Sequence, residues 1–140
     1  MLYFEIKTHR VGKTYEKPHF FILNKGLNSG KPLHNPCPNC FIITTKTEEV
    51  KNKLFNLSMM LQIGGFYTYY LKGSVIPFIT IKDCSNTLRN GLNSMVEVDK
   101  HIQIVEVLQK EQTRLSENLE KIRQMKKAYI QACFKFYPLE

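Results

Sequence analysis

Apolar and polar positions alternate at the start of the chain. Leu2, Phe4 and Ile6 take turns with Tyr3, Glu5 and Lys7, the two-residue period of a half-buried strand. Phe20-Phe21-Ile22-Leu23 is a short unbroken apolar run ahead of a glycine-rich stretch, so it reads as a buried strand. Phe41-Ile42-Ile43-Thr44-Thr45 is β-branched and reads as another. Residues 24–40 between them have loop chemistry: Asn24-Lys25-Gly26-Leu27-Asn28-Ser29-Gly30-Lys31-Pro32, then Asn35-Pro36-Cys37-Pro38-Asn39-Cys40.

The period then changes. Thr47 can cap a helix, and Glu48 and Glu49 stand in its first turn, where the dipole favours negative charge. Val50, Leu54, Leu57 and Leu61 recur at helical spacing with Met60 beside them, and Gly64-Gly65 ends the run. Phe66 to Leu71 is aromatic and fits a strand or a short helix, with Phe66 and Tyr70 expected in the core and the other tyrosines at the surface. Lys72-Gly73-Ser74 is a turn. Val75 to Ile81 is extended, and Pro77, which cannot donate to a ladder, makes it an edge or interrupted strand. Asp83 starts a short helix expected to stop before Gly91.

From Asn93 to Tyr137 there is neither Gly nor Pro. Val98, Ile102, Val105, Leu108, Leu115, Leu119, Ile122, Met125, Tyr129, Cys133 and Phe136 fall on one stripe, with polar Gln112 in its gap. The spacing is close to the coiled-coil value of about 3.5 residues. Such a rod, on the order of 55–60 Å at about 1.5 Å per residue, is longer than a small domain is wide and needs a partner helix. The expected fold is α+β: a small mixed sheet with one or two packed helices and a long C-terminal coiled-coil-like helix. Residues 1–93 form the head, 94–137 the association helix and 138–140 a tail. The alternative is a helix that breaks at an unmarked point and folds back as a hairpin. Val98, Ile102, Val105, Leu108, Leu115, Leu119 and Ile122 are the candidate dimerisation residues.

Composition changes this picture only through charge. The 140 residues are 43% hydrophobic and 23% charged, ordinary for one globular domain. The net charge is +8, and +7 of it lies in residues 1–96. A basic head favours a polyanionic partner. No apolar stretch is long enough for a transmembrane helix, and Met1 to Glu5 lacks a signal-peptide layout, so a cytoplasmic protein without a membrane role is expected. Four cysteines are not a disulfide framework here.

Cys37-Pro38-Asn39-Cys40 is a single C-x-x-C pair. Zinc would need His34, Cys84 or Cys133 brought in by the fold, and a redox pair would need a helix N-terminus where residues 41–45 look like a strand. Structural cysteines are the third option. The loop from Asn24 to Lys31 is not a P-loop, because three residues separate Gly26 and Gly30 and Pro32 follows Lys31. It still pairs glycines with lysines in a way suited to nucleic-acid phosphates, or it is a plain solvated loop. Lys25, Asn28, Ser29 and Lys31, with Lys72 beside the aromatic segment, are the candidate nucleic-acid contacts. Lys121, Arg123, Lys126 and Lys127 suit the negative end of the long helix, with Glu117 able to pair with Lys121. His9, His19, His34 and His101 are scattered and no acid–base constellation is present, so no enzyme activity and no cofactor are expected.

The order of these pieces resembles the second half of a target-recognition domain, with its following helix, in type I restriction–modification specificity subunits. The matching stretches are Phe20–Lys31, Phe41–Leu61, Gly73-Ser74-Val75-Ile76-Pro77-Phe78-Ile79, and Lys126-Lys127-Ala128-Tyr129-Ile130-Gln131-Ala132-Cys133-Phe134. The Pro-rich lead-in with a Glu-Gln pair is missing, as is the N-terminal half of such a domain. Asn24–Pro32 and Leu71–Ile81 are more closely similar to a family of short uncharacterised proteins from Bacteroidetes-type bacteria. The first resemblance implies a DNA-binding module that assembles through its helix. The expectation is therefore a non-catalytic DNA-binding homodimer, or a module that pairs with a partner helix. The alternative is a protein-interaction scaffold without a nucleic-acid role.

Overall fold

The structure, a computed structural model, describes residues 3–94 and 97–134. The expected contributions of Leu2 and Phe136, and the tail 138–140, lie outside the described residues. The chain runs β1 (Glu5–Thr8), β2 (His19–Leu23), β3 (Pro32–Leu33), β4 (Cys40–Thr44), α1 (Glu48–Ile63), a 3₁₀ turn (Thr68–Tyr70), α2 (Ile81–Ser94) and α3 (Val98–Cys133). It is an α+β fold with a long C-terminal helix. The strands form one sheet in the order β1-β4-β2-β3. Every pairing is antiparallel, so the sheet is not mixed as expected. The reason lies in the connections, since a parallel neighbour needs a crossover of a dozen or more residues, usually helical, and no helix falls between these strands.

The chain divides into two compact units, Met1–Ile102 and Gln103–Glu140. The first, here called the head, holds the sheet, α1, α2 and the first turn of α3. Its central strands carry apolar residues on both faces. Phe20 and Ile22 of β2 and Phe41 and Ile43 of β4 pack with Leu54 and Leu57 of α1 and with Cys84 and Leu88 of α2. The alternate residues Phe21, Cys40 and Ile42 form a second cluster with Tyr15, Leu33 and Cys37. Both faces of β2 and β4 are thus covered, which is why these strands read as unbroken apolar runs. β1 lies at the edge beside β4, with Ile6 opposite Ile43, and keeps the alternation because Glu5 and Lys7 stay exposed.

The N-terminus of α1 is as expected. The Thr47 hydroxyl accepts the Val50 amide at 3.2 Å, and Gly64 closes the helix. Three other expectations are corrected. Pro32-Leu33, placed in a loop, pairs with Phe21-Ile22 as a two-residue edge strand. The proline sits where a missing N–H is tolerated. Val75 to Ile81 does not join the sheet. Its pairing is limited to isolated bridges of Phe78 to Lys25 and to Lys72, while Val75 and Ile76 are exposed. Gly91 does not stop α2, which runs on to Ser94. A Cβ at Gly91 would lie 2.9 Å from Leu61 Cδ1, so this glycine lets α1 and α2 approach closely. Thr80 caps α2, its hydroxyl accepting the Asp83 amide at 3.2 Å and donating to the Asp83 carboxylate at 3.0 Å.

α3 is one continuous helix from Val98 to Cys133, which removes the hairpin alternative. Its 36 residues give a length of about 54 Å at about 1.5 Å each. Val98 and Ile102 are buried within the head. Among the described residues from Gln103 to Phe134, none is buried. No helix among the described residues is long and apolar enough to cross a membrane.

Candidate functional site

The glycine loop joins β2 to β3, and its backbone is largely occupied by the fold. The Asn24 amide donates to the Asn39 carbonyl, the Gly26 amide to Pro77, the Gly30 amide to Leu23 and the Lys31 amide to Asn28. Ser29 turns inward. It is buried, and its hydroxyl donates to the Gly26 carbonyl at 2.7 Å. Ser29 therefore has no free hydroxyl to offer a ligand. Lys25, Asn28 and Lys31 are exposed.

The fold does bring Lys72 to this loop. Lys25 and Lys72 both bridge to Phe78, with paired backbone bonds of 2.9 Å between Lys72 and Phe78. The Lys72 ammonium also lies 3.7 Å from Asp83, which offsets part of its charge. The result is a small two-segment surface carrying Lys25, Lys72 and the partly exposed Phe78 ring.

The aromatic segment is ordered in the opposite sense to expectation. Tyr67 is buried, Phe66 is 60% exposed and Tyr70 38%. The 3₁₀ turn points Tyr67 inward over Gly30, where a Cβ would stand 2.2 Å from the Tyr67 ring. Gly30 also has φ +99°, a conformation that L side chains avoid. Ser58 completes the cluster. Its hydroxyl donates to the Gly30 carbonyl at 2.9 Å, and the Tyr67 hydroxyl lies 2.9 Å away as the remaining partner. Burial first, then the nearby Cys84, pushes the Tyr67 hydroxyl well above the usual tyrosine range. Gly30 therefore serves packing, and the ring that covers it would block a phosphate from the backbone there.

Cys37 and Cys40 are free, and the Cys40 thiol donates to the Cys37 carbonyl at 3.0 Å. Burial pushes the Cys40 thiol up to about 11, the opposite of an activated thiolate. His34 stacks on Phe55, with ring centroids 4.3 Å apart. No group of three metal-ligating side chains is found among the described residues, so Cys37, Cys40 and His34 are not gathered as a zinc set. The Cys84 thiol is buried in the core and raised to about 12 by that burial.

On α3, Leu108 is 63% exposed, Leu115 55%, Leu119 49% and Ile122 60%, and Val105 is half-buried. Val98 and Ile102 differ from these five because both are buried, Val98 in the head core, so they are not free for a partner. No ion pair joins Glu117 to Lys121. The pairs along this helix are Arg114–Glu111 and Arg123–Glu120.

Reasoning from the chain missed one cation-bearing surface. Lys7, Lys13 and Lys17 line a depression of about 330 Å³ over β1 and β4, together with Glu5, Glu16 and Tyr15. The Lys13 ammonium lies 5.5 Å from the Tyr15 ring centroid, and Tyr15 meets His9, His19 and Phe21. The signal was the count of lysines in residues 7–17, but nothing local tied them to one face.

An antiparallel four-stranded sheet backed by two helices and followed by a long helix defines an α+β protein. Residues 6–132 match the family of unknown function DUF6943, and the chain belongs to that family. No curated protein and no solved structure gives a significant match.

Proposed function

We propose that the protein is a non-catalytic association module whose α3 helix pairs with α3 of a second copy. The observation that supports this is the exposed apolar stripe Leu108, Leu115, Leu119 and Ile122 at seven-residue periodicity. A helix polar all round would need no partner. One with large apolar residues at the a and d positions of a heptad over four turns gains stability by burying them against another helix. The test is sedimentation equilibrium of the full chain and of a Leu115→Asp, Leu119→Asp double variant. The wild type sediments as a dimer and the variant as a monomer with an intact head. A wild-type monomer at micromolar concentration would sink the reading.

A second reading, DNA binding by the head, is favoured by the meeting of Lys25 and Lys72 at Phe78 in a basic unit. The motif order resembling type I specificity subunits points the same way, and a cytoplasmic setting suits both readings. Lys25, Asn28, Lys31 and Lys72 would supply the contacts, without Ser29 and without a backbone cradle. The affinity for duplex DNA is measured against salt. Lys25→Ala with Lys31→Ala reduces the log–log slope by about 1.8 if both lysines neutralise phosphates. An unchanged slope removes the two lysines from the interface.

A further inference from the structure

Charge along α3 is not evenly spread. Residues 103–120 hold Glu106, Glu111, Glu117 and Glu120 against Lys110 and Arg114. Residues 121–134 hold Lys121, Arg123, Lys126 and Lys127 and no acid. The first part is net negative and the second is wholly positive. A strict seven-residue repeat places Val105, Gln112, Leu119, Lys126 and Cys133 at one set of seam positions and Leu108, Leu115, Ile122 and Tyr129 at the other.

We infer that two copies of α3 pair antiparallel, centred near Glu117. This rests on the homodimer reading above. In a parallel, in-register pair each Lys126 would face its own copy across the seam, and the four cations of residues 121–134 would lie beside the same four. Like charges so placed oppose association. Centred near Glu117, the antiparallel pair sets residues 121–134 beside residues 100–113 of the second copy, where Glu106 and Glu111 balance Lys100 and Lys110, so the four cations face a charge-balanced stretch in place of the same four cations. It also stacks Leu119 on Leu115 at the centre and the large Tyr129 on the small Val105 near each end. Lys126 then packs over Leu108 of the second copy, with Glu111 of that copy one step along on the same flank. Glu111 is exposed and already accepts Arg114 Nε at 3.0 Å, so its carboxylate is held between two cations. Gln112 alone would favour the parallel pair, where two carboxamides bond each other. One neutral hydrogen bond at a water-flanked seam is set against four cations on each side.

The native Cys133 reports the orientation, because it is exposed and lies at the end of the helix. A nitroxide is placed on it in the full chain, with the half-buried Cys37 changed to Ser. In the antiparallel dimer the two labels are about 48 Å apart along the axis, from 32 residues of offset at about 1.5 Å each. In a parallel dimer they lie within about 20 Å, side by side on helices about 10 Å apart. The expected result is the long distance. A dimer with the short distance overturns the orientation and leaves the homodimer intact, whereas a monomer by sedimentation overturns both. A charge exchange gives a second readout. Lys126→Glu and Glu111→Lys each weaken the dimer about tenfold, since each acts at both symmetric sites, and the two together restore it. Absence of that rescue also overturns the antiparallel pairing.

Discussion

The head and the helix beyond it solve the problem of apolar surface in opposite ways. In the head, β2 and β4 are covered on both faces, and Leu54, Leu57, Cys84 and Leu88 are wholly buried. From Gln103 to Phe134, residues of the same chemistry are exposed, save the half-buried Val105. The apolar side chains of the head hold the fold. Those of the helix beyond Ile102 are not buried in a core. The polar atoms differ in the same sense. Ser58 in the head joins two groups removed from water, while the ion pairs of α3 are exposed neighbours along one helix. The first kind is expensive to break and the second contributes little.

The largest expected effect tests that contrast directly. Leu54→Ala costs the head about 2–5 kcal/mol in denaturant unfolding, since it removes a fully packed side chain. Leu115→Ala changes head unfolding by less than about 0.5 kcal/mol and weakens the proposed dimer instead. Equal losses in head stability would erase the distinction between the two regions. Next comes Ser58→Ala, which leaves the Tyr67 hydroxyl and the Gly30 carbonyl without their shared partner. It costs about 1–3 kcal/mol, read from the unfolding midpoint. Thr113→Ala on α3, where the hydroxyl bonds only the Gln109 carbonyl of its own helix, moves the midpoint by less than about 0.5 kcal/mol.

The smallest effect is nil at pH 7 and opens on the alkaline side. The Cys40 and Cys84 thiols are raised by burial from 9.0 to about 11 and about 12. Above pH 9 the unfolded chain releases these protons while the native head keeps them. The contribution of these two thiols to head stability is therefore fully present below pH 9 and is lost as the pH rises toward about 11 and 12. Titrating urea midpoints between pH 7 and pH 11 checks this. Cys84→Ala flattens the fall, and Cys133→Ala on the exposed helix leaves it unchanged.

Much of the architecture was legible along the chain because it is set by neighbours a few residues apart. The β2 and β4 runs, the Thr47 cap with its acidic first turn, and the unpunctuated α3 all appear where their periods put them. The errors fall where distant segments meet. Gly91 looks like a stop because glycine weakens a helix, yet the approach of Leu61 makes a glycine useful inside α2. Phe66 and Tyr70 look like core at four-residue spacing, yet the 3₁₀ turn and the Ser58 hydroxyl select Tyr67. Ser29 and Gly30 look like a phosphate loop, yet one turns inward and the other lies beneath an aromatic ring.

Local pattern was thus sufficient for the α+β class, most elements, the concentration of positive charge in residues 1–96 and the amphipathic stripe of α3. These follow from side-chain period and propensity, which act within a turn or a strand. The sheet order β1-β4-β2-β3, the inward turn of Tyr67 and the recruitment of Val98 and Ile102 into the head needed three dimensions. Each depends on which residues far apart in the chain come into contact, and packing, unlike period, is a property of the whole.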